Sequence, residues 1–374
     1  MAKSIVAPCR YYQGTGLLTD AYRYVSHIGR NFIVICDTTV RDIIKDKMDM
    51  GFRSAGSTCE YLIFNGECCQ SEIKRLISKI DSKRYDGIVG AGGGKTLDAA
   101  KILADHLSLP VIMVPTIASN DSACSFLASI YTEDGSFLKI QKLKSSPEVV
   151  LVDAEVITSA PVRYLVAGMG EAISSYYDAV ACDRSGVQNY TGGQIAQSVL
   201  AMAKLCLDLI IENGPLAVAG YETKNNYIAF AKVIEAVIYL SAIVFQNSGC
   251  AASQGIFWGM TTVVKPFPAM QGEGVAYGCL VQRVLEYEES GRWDMDDWRR
   301  LTDFYRKVRL PMRLEDLGIN DVSDELMHSI AKASCREGSH VHHMPFLVTE
   351  EKLFAAIKKL QKMELSEKLE KHND

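Results

Sequence analysis

Gly87-Ile-Val-Gly-Ala-Gly-Gly-Gly-Lys-Thr-Leu-Asp98 runs from a short apolar stretch through three consecutive glycines into a helical pattern. The apolar part reads as a strand, and the helical part extends from Thr96 to about His106. A strand that turns on glycines into a helix exposes backbone N–H groups and a helix N-terminus, and both favour a phosphate. Such a turn can also be only a tight connection; the run Gly92-Gly93-Gly94 favours the phosphate reading. The spacing is neither that of a Walker loop nor that of the Rossmann dinucleotide fingerprint.

Working outward, Asn31-Phe-Ile-Val-Ile-Cys36 reads as a buried strand that ends at Asp37, and Ile73, Leu76, Ile77 and Ile80 follow helical spacing. Pro110-Val-Ile-Met-Val-Pro115 and Val149-Val-Leu-Val-Asp153 complete the set of strands. Strands alternating with helices at this spacing predict a parallel, doubly wound sheet covered on both faces. After Pro161 long helical patterns take over, at 193–212, 226–246 and 325–336. The expected fold is therefore an α/β nucleotide-binding domain over residues 1–160 and an all-α domain over 161–374. The charged end, Glu364 to Asp374, is expected to fray.

Composition narrows the partners. The chain has 374 residues, of which 45 are acidic and 40 basic, for a net charge of −5. No basic excess exists to neutralise a nucleic-acid backbone. No uninterrupted apolar stretch approaches the roughly 18 to 20 residues of a membrane span, and Met1-Ala2-Lys3-Ser4-Ile5 lacks a secretory pattern. Eleven cysteines, odd in number and without a CxxC pair, suit buried hydrophobes in a reducing cytosol. These features predict a cytoplasmic protein whose partner is a small molecule, with no nucleic acid and no membrane.

Asp37, at the carboxyl end of its strand, can accept bonds from both hydroxyls of an adenosine ribose and would repel a 2′-phosphate. It reads equally as a helix cap, because Thr38, Thr39 and a helical pattern follow.

Val114-Pro-Thr-Ile-Ala-Ser-Asn-Asp-Ser-Ala-Cys-Ser125, the glycine loop, Leu151-Val-Asp-Ala-Glu155 and Tyr164-Leu-Val-Ala-Gly-Met-Gly170 together resemble glycerol dehydrogenases. These belong to the iron-containing alcohol dehydrogenase superfamily, which shares its fold with dehydroquinate synthase. The resemblance continues through Gly249-Cys-Ala-Ala-Ser253, Gly272-Glu-Gly-Val-Ala-Tyr-Gly278 and His342-His-Met-Pro-Phe346, so it covers nearly the whole chain. It implies an active-site cleft between the two domains, and a homo-oligomer. It also implies NAD(H), rather than NADP, against Asp37, Gly93, Gly94, Lys95, Asp98, Thr116, Ser119, Ser125, Leu127 and Tyr131. Asp121 matches the aspartate that contacts substrate in the family.

The chain departs from the family at the metal. The resemblance implies one aspartate and two histidines as ligands, and the matching positions here are Glu171, Gln254 and Gln271. The seven histidines stand at 27, 106, 328, 340, 342, 343 and 372, so none lies in the segment that should supply ligands. Zinc prefers imidazole and thiolate, and one carboxylate with two neutral amides is a poor set for it. No catalytic metal is expected; the two glutamines can instead hold each other and the substrate.

Asp121 and Glu171 are expected to face the cleft together. Two close carboxylates cannot both ionise cheaply, so one should have a raised pKa and could act as a general acid. Phe257 and Trp258 stand where the family carries a second histidine and a small polar residue; Phe257 is expected in the pocket, and Trp258 either there or in helix packing. His340, His342 and His343 read as a packed loop, with a proton relay through His342 as the other reading. Tyr176 and Tyr177 read as helix core, with a hydroxyl reaching the cleft as the other reading.

The function expected from these residues is a metal-independent NAD(H)-dependent oxidoreductase reducing a small activated C=N or C=O group. The catalytic set is Asp121, Glu171, Gln254, Gln271 and Phe257. The alternatives are a catalytically silent NAD-binding homologue, and a lyase or cyclase that recycles bound NAD.

Overall fold

The computed structural model describes residues 2–223 and 227–363. Six parallel strands form the central sheet: β1 (Arg10–Gly14), β2 (Asn31–Cys36), β3 (Thr58–Ile63), β4 (Gly87–Gly92), β5 (Val111–Pro115) and β8 (Val149–Asp153). Their order is β1-β8-β5-β4-β2-β3. A separate antiparallel hairpin pairs β6 (Leu127–Tyr131) with β7 (Phe137–Lys142). Helices α1 (Ala21–Val25), α2 (Thr38–Arg53), α3 (Gln70–Lys79), α4 (Gly94–Leu107) and α5 (Ala154–Ile157) connect the strands.

The central strands are buried on both faces, which is why they read as continuous apolar runs. Ile33 and Ile35 of β2 join the core shared with α4 and the helical half, while Phe32, Val34 and Cys36 pack on Val40, Ile44 and Met48 of α2. The edge strands β1 and β3 were invisible to that signal, since Arg10-Tyr-Tyr-Gln-Gly14 and Thr58-Cys-Glu-Tyr-Leu-Ile63 are mixed in polarity and mostly half-buried. In the hairpin, β7 escaped for the same reason, whereas β6 is mostly buried but only five residues long.

From Val162 the chain is helical: α6 (Val162–Ser185), α7 (Gln197–Thr223), α8 (Tyr227–Ile234), α9 (Ser241–Ser248), α10 (Ala252–Val263), α11 (Gln271–Ser290), α12 (Met295–Val308), α13 (Asp324–Ser334) and α14 (Glu350–Lys362). α7 runs on through Pro215, beyond the predicted end at 212. The predicted start at Asn226 and the charged end from Glu364 lie outside the described residues. α8, a π-helical turn over Glu235–Leu240 and α9 make one helix, Tyr227–Ser248. Among the described residues this is the one helix long and apolar enough to cross a membrane, and 67% of its apolar window is buried inside the protein, against α6 and α7. All eleven cysteines are free thiols, and Cys36, Cys124, Cys206, Cys250 and Cys279 are buried as expected.

Candidate active site

Three helices meet where the backbone is bare. A Cβ on Gly272, in the first turn of α11, would stand 2.0 Å from the Ala167 carbonyl oxygen of α6, and one on Gly278 would stand 2.4 Å from the Ser253 carbonyl of α10. Only glycine permits such approach. It brings Glu171 of α6, Gln254 of α10 and Gln271 of α11 together at the wall of a cavity of about 600 Å³. Arg163 forks onto Glu273 (2.7 and 2.8 Å), and Glu273 accepts from the Met270 N–H, so the start of α11 is pinned beside Gln271.

Glu171 is 4% exposed. Its Oε1 accepts from Gln254 Nε2 (2.6 Å) and Gln271 Nε2 (3.4 Å), and its Oε2 is buried with no partner. The glutamines do not hold each other, as the sequence suggested; a carboxylate attracts the N–H end of an amide, and both turn to it. Oε2 is left short of a bond, which fits a protonated carboxyl. Burial, and then the charge of Asp121, push the Glu171 carboxyl well above the usual range. Asp121 lines the same cavity and is also raised, by burial, with Lys101 opposing.

This donor set does not fit a zinc or iron ion. The residues present N–H groups towards one carboxylate oxygen, which is the reverse of what a cation requires. Among the described residues, no cluster of three or more His, Cys, Asp and Glu side chains could hold a metal.

Two turns along α6, Asp178 is buried and accepts from Ser253 Oγ (2.7 Å), next to Gln254. Burial raises its carboxyl to about 7. Sequence reasoning passed over it, although the i, i+7 spacing from Glu171 puts both on one face.

The walls are aromatic. Phe257 meets Phe267 edge-on, and both line the cavity. Trp258 lines it too, stacked at 5.0 Å on Phe137 of the hairpin, so the two domains touch through these rings. His340 packs edge-on to Trp258, and burial lowers its pKa to about 3. His342 is exposed, its Nε2 lies against the Cys335 and Arg336 carbonyls, and it does not line the cavity, so the geometry gives the relay reading no support. Tyr177 is buried and bonds Asp297, outside the cleft.

On the sheet side, Asp37, Gly93 and Thr116 follow β2, β4 and β5, three adjacent strands, at their carboxyl ends. With Gly94 and Lys95 they line a second cavity of about 570 Å³. Gly93 is the N-cap of α4, and a Cβ on Gly94 would meet the Asn120 amide at 2.5 Å, so the loop is a bare cradle at a helix N-terminus. That cradle fits a pyrophosphate. Asp37 caps α2 by accepting from Val40 N (2.8 Å), as one sequence reading had it, and also lines this cavity. Lys95 lies on both cavities, paired with Glu67 at 2.5 Å and 4.8 Å from the Tyr131 ring.

Asp98, Ser125, Leu127 and Tyr131 line the first cavity with Asp121; Ser119 lines neither. Asp98 is committed inward: it accepts from Ser122 Oγ, from Ser129 N (2.9 Å) and from Lys101 Nζ (2.9 Å). Lys101, 1% exposed, also donates to the Ser122, Ser125 and Leu127 carbonyls and so sets the loop that carries Asp121. It too was missed, though a lysine three residues after Asp98 is the available signal.

A family model for iron-containing alcohol dehydrogenases matches residues 8–154. Glycerol dehydrogenase of Citrobacter freundii is 38% identical over 357 residues, 96% of either chain. Glycolaldehyde reductase of Halobacterium salinarum is 31% identical, covering 93% of this chain and 94% of its own. The crystal structure of glycerol dehydrogenase from Schizosaccharomyces pombe superposes with a TM-score of 0.90 at 34% identity, over 96% of this chain and 90% of that one. With its parallel-sheet domain, glycine cradle and helical domain facing a shared cleft, the chain belongs to the glycerol dehydrogenase family of iron-containing alcohol dehydrogenases.

Proposed function

We propose that this chain is a metal-independent, NAD(H)-dependent oxidoreductase that reduces a small activated C=N or C=O group, with Glu171 as the proton donor. The observation that carries the reading is the Glu171 carboxyl, doubly hydrogen-bonded on Oε1 and unpartnered on Oε2 at a cavity wall.

When bound, the dinucleotide supplies the hydride. The Gly93–Gly94 backbone and Lys95 suit its phosphates, Asp37 its ribose, and Asp121, Ser125, Leu127 and Tyr131 the side of the cleft where reduction occurs. Glu171 keeps a proton because burial and the neighbouring Asp121 charge disfavour its ionised form. Gln254 and Gln271 orient Oε1, which leaves the Oε2 proton for the nitrogen or oxygen of the substrate. A positioned acid of this kind contributes about 10² to 10⁴ in rate.

Phe257 and Trp258 exclude water. They suit an unsaturated ring better than a triol such as glycerol. The names of the relatives, glycerol dehydrogenase and glycolaldehyde reductase, support chemistry at an alcohol or carbonyl carbon. Without a cation to polarise oxygen, a substrate that is already electrophilic is favoured.

The test is loss of NADH absorbance with a panel of cyclic imines, 2-oxo acids and dihydroxyacetone, with and without EDTA. Turnover of imines or oxo acids that EDTA leaves intact is expected. Turnover of dihydroxyacetone that EDTA abolishes would overturn metal independence, and NADH binding without any turnover would make the chain a silent homologue. Nicotinamide that stays bound and is recycled would point to a lyase or cyclase.

A further inference from the structure

The candidate active-site cavity carries acidic, aromatic and basic side chains, and that combination selects a class of substrate. Its lining includes Glu171, buried with an unpartnered oxygen, and Asp121, which is half-buried. Phe257, Phe267 and Trp258 supply its aromatic faces. Lys265 and Arg336, both exposed, line it as well, and neither makes an ion pair among the described residues. Of the other charges that line it, Lys95 is held by Glu67 and reaches the nucleotide cavity, Asp98 is held by Lys101, and Asp134 keeps its charge while accepting from Thr132 and Ser136 within its own turn. The glycine cradle that suits a pyrophosphate opens on the second cavity. Lys265 and Arg336 are therefore left over for something other than the nucleotide.

We propose that Arg336 and Lys265 form a carboxylate subsite, and that the substrate is an imino acid: a C=N group at the buried carboxyls and a carboxylate at the rim. This rests on the reductase reading above and names its substrate class. An acid floor favours a nitrogen that gains positive charge, and aromatic faces stabilise that cation. A guanidinium recognises a carboxylate through a fork of two parallel N–H bonds. The step balances. The imine nitrogen takes the Glu171 proton, hydride adds to the carbon as the C–N π pair moves to nitrogen, and Glu171 is reprotonated from solvent. One NADH and one proton are consumed for each amino acid formed.

The test compares ligands that differ only in the carboxylate, on enzyme holding NAD⁺ for binding and supplied with NADH for turnover. Pipecolate and proline are titrated calorimetrically against piperidine and pyrrolidine, and 1-piperideine-2-carboxylate is compared with 1-piperideine as substrate. The carboxylated member is expected to bind, and to lower KM, by about tenfold or more. Arg336→Ala with Lys265→Ala should bring that ratio close to one, and Arg336→Lys should keep part of it; NADH affinity, measured on each variant, reports that the fold is intact. Equal affinity for both members, or a preference that survives the double substitution, overturns the subsite. Turnover of 1-piperideine without carboxylate preference leaves the reductase and removes the subsite. Carboxylate-selective binding without turnover supports the subsite and removes the reductase.

Discussion

Gln254 Nε2 stands 2.6 Å from Glu171 Oε1, while the other oxygen of the same carboxyl is buried without a partner. The pair occupies positions where the family resemblance implies a histidine and an aspartate on a metal. Here the amide bonds one oxygen of the carboxyl and leaves the other without a partner.

Glu171→Gln keeps the shape and removes the proton. It is expected to lower kcat about 10²- to 10⁴-fold while leaving the Kd for NADH within twofold, read by turnover and fluorescence titration. Full activity in this variant would place the acid elsewhere.

The pH profile follows from the raised Glu171 pKa. In the proposed mechanism the protonated form donates, so kcat should fall as pH rises through that pKa. Asp121→Asn removes the negative charge that helps hold the proton, so the falling limb should move to lower pH. A limb that stays in place would mean the two carboxyls do not interact.

Stability carries the same sign. Asp178 is raised from 3.8 to about 7, so the folded state binds its proton more tightly than the unfolded chain. That contribution is complete below the unfolded value and is lost as pH rises through the folded one. The Asp178 contribution to Tm should therefore decline between pH 4 and about 7, read as the difference between the parent and Asp178→Asn in differential scanning calorimetry across that range.

Restoring the family's ligand types tests metal independence from the other side. The parent is expected to hold well under one equivalent of zinc or iron by elemental analysis. Glu171→Asp with Gln254→His and Gln271→His should gain stoichiometric zinc, because imidazole and carboxylate then converge on a site three helices already shape. Stoichiometric metal in the parent would sink the proposal.

Lys101→Met should cost about 3 to 5 kcal/mol in urea unfolding, since it strands the Asp98 charge and three carbonyls in the core. Turnover should fall further than stability alone explains, because the loop with Asp121 loses its anchor.

Much was legible without coordinates. Local chain chemistry determined the parallel sheet, because strands buried on both faces must be apolar throughout, and the phosphate cradle, because only glycines leave a helix N-terminus bare. Residue identity alone removed the family's ligand types: an amide cannot become an imidazole, and no histidine occurs between 107 and 327. What only the tertiary structure decided is where polar groups point once helices close on each other. Both glutamines turn to one oxygen because α6, α10 and α11 meet at Gly272 and Gly278, a contact among residues up to about a hundred positions apart. The Trp258–Phe137 stack, and the placing of Arg336 and Lys265 on the cavity with no ion pair among the described residues, depend likewise on how separate segments dock. Hydrogen-bond direction and charge pairing are set by neighbours in space, which no sequence interval encodes.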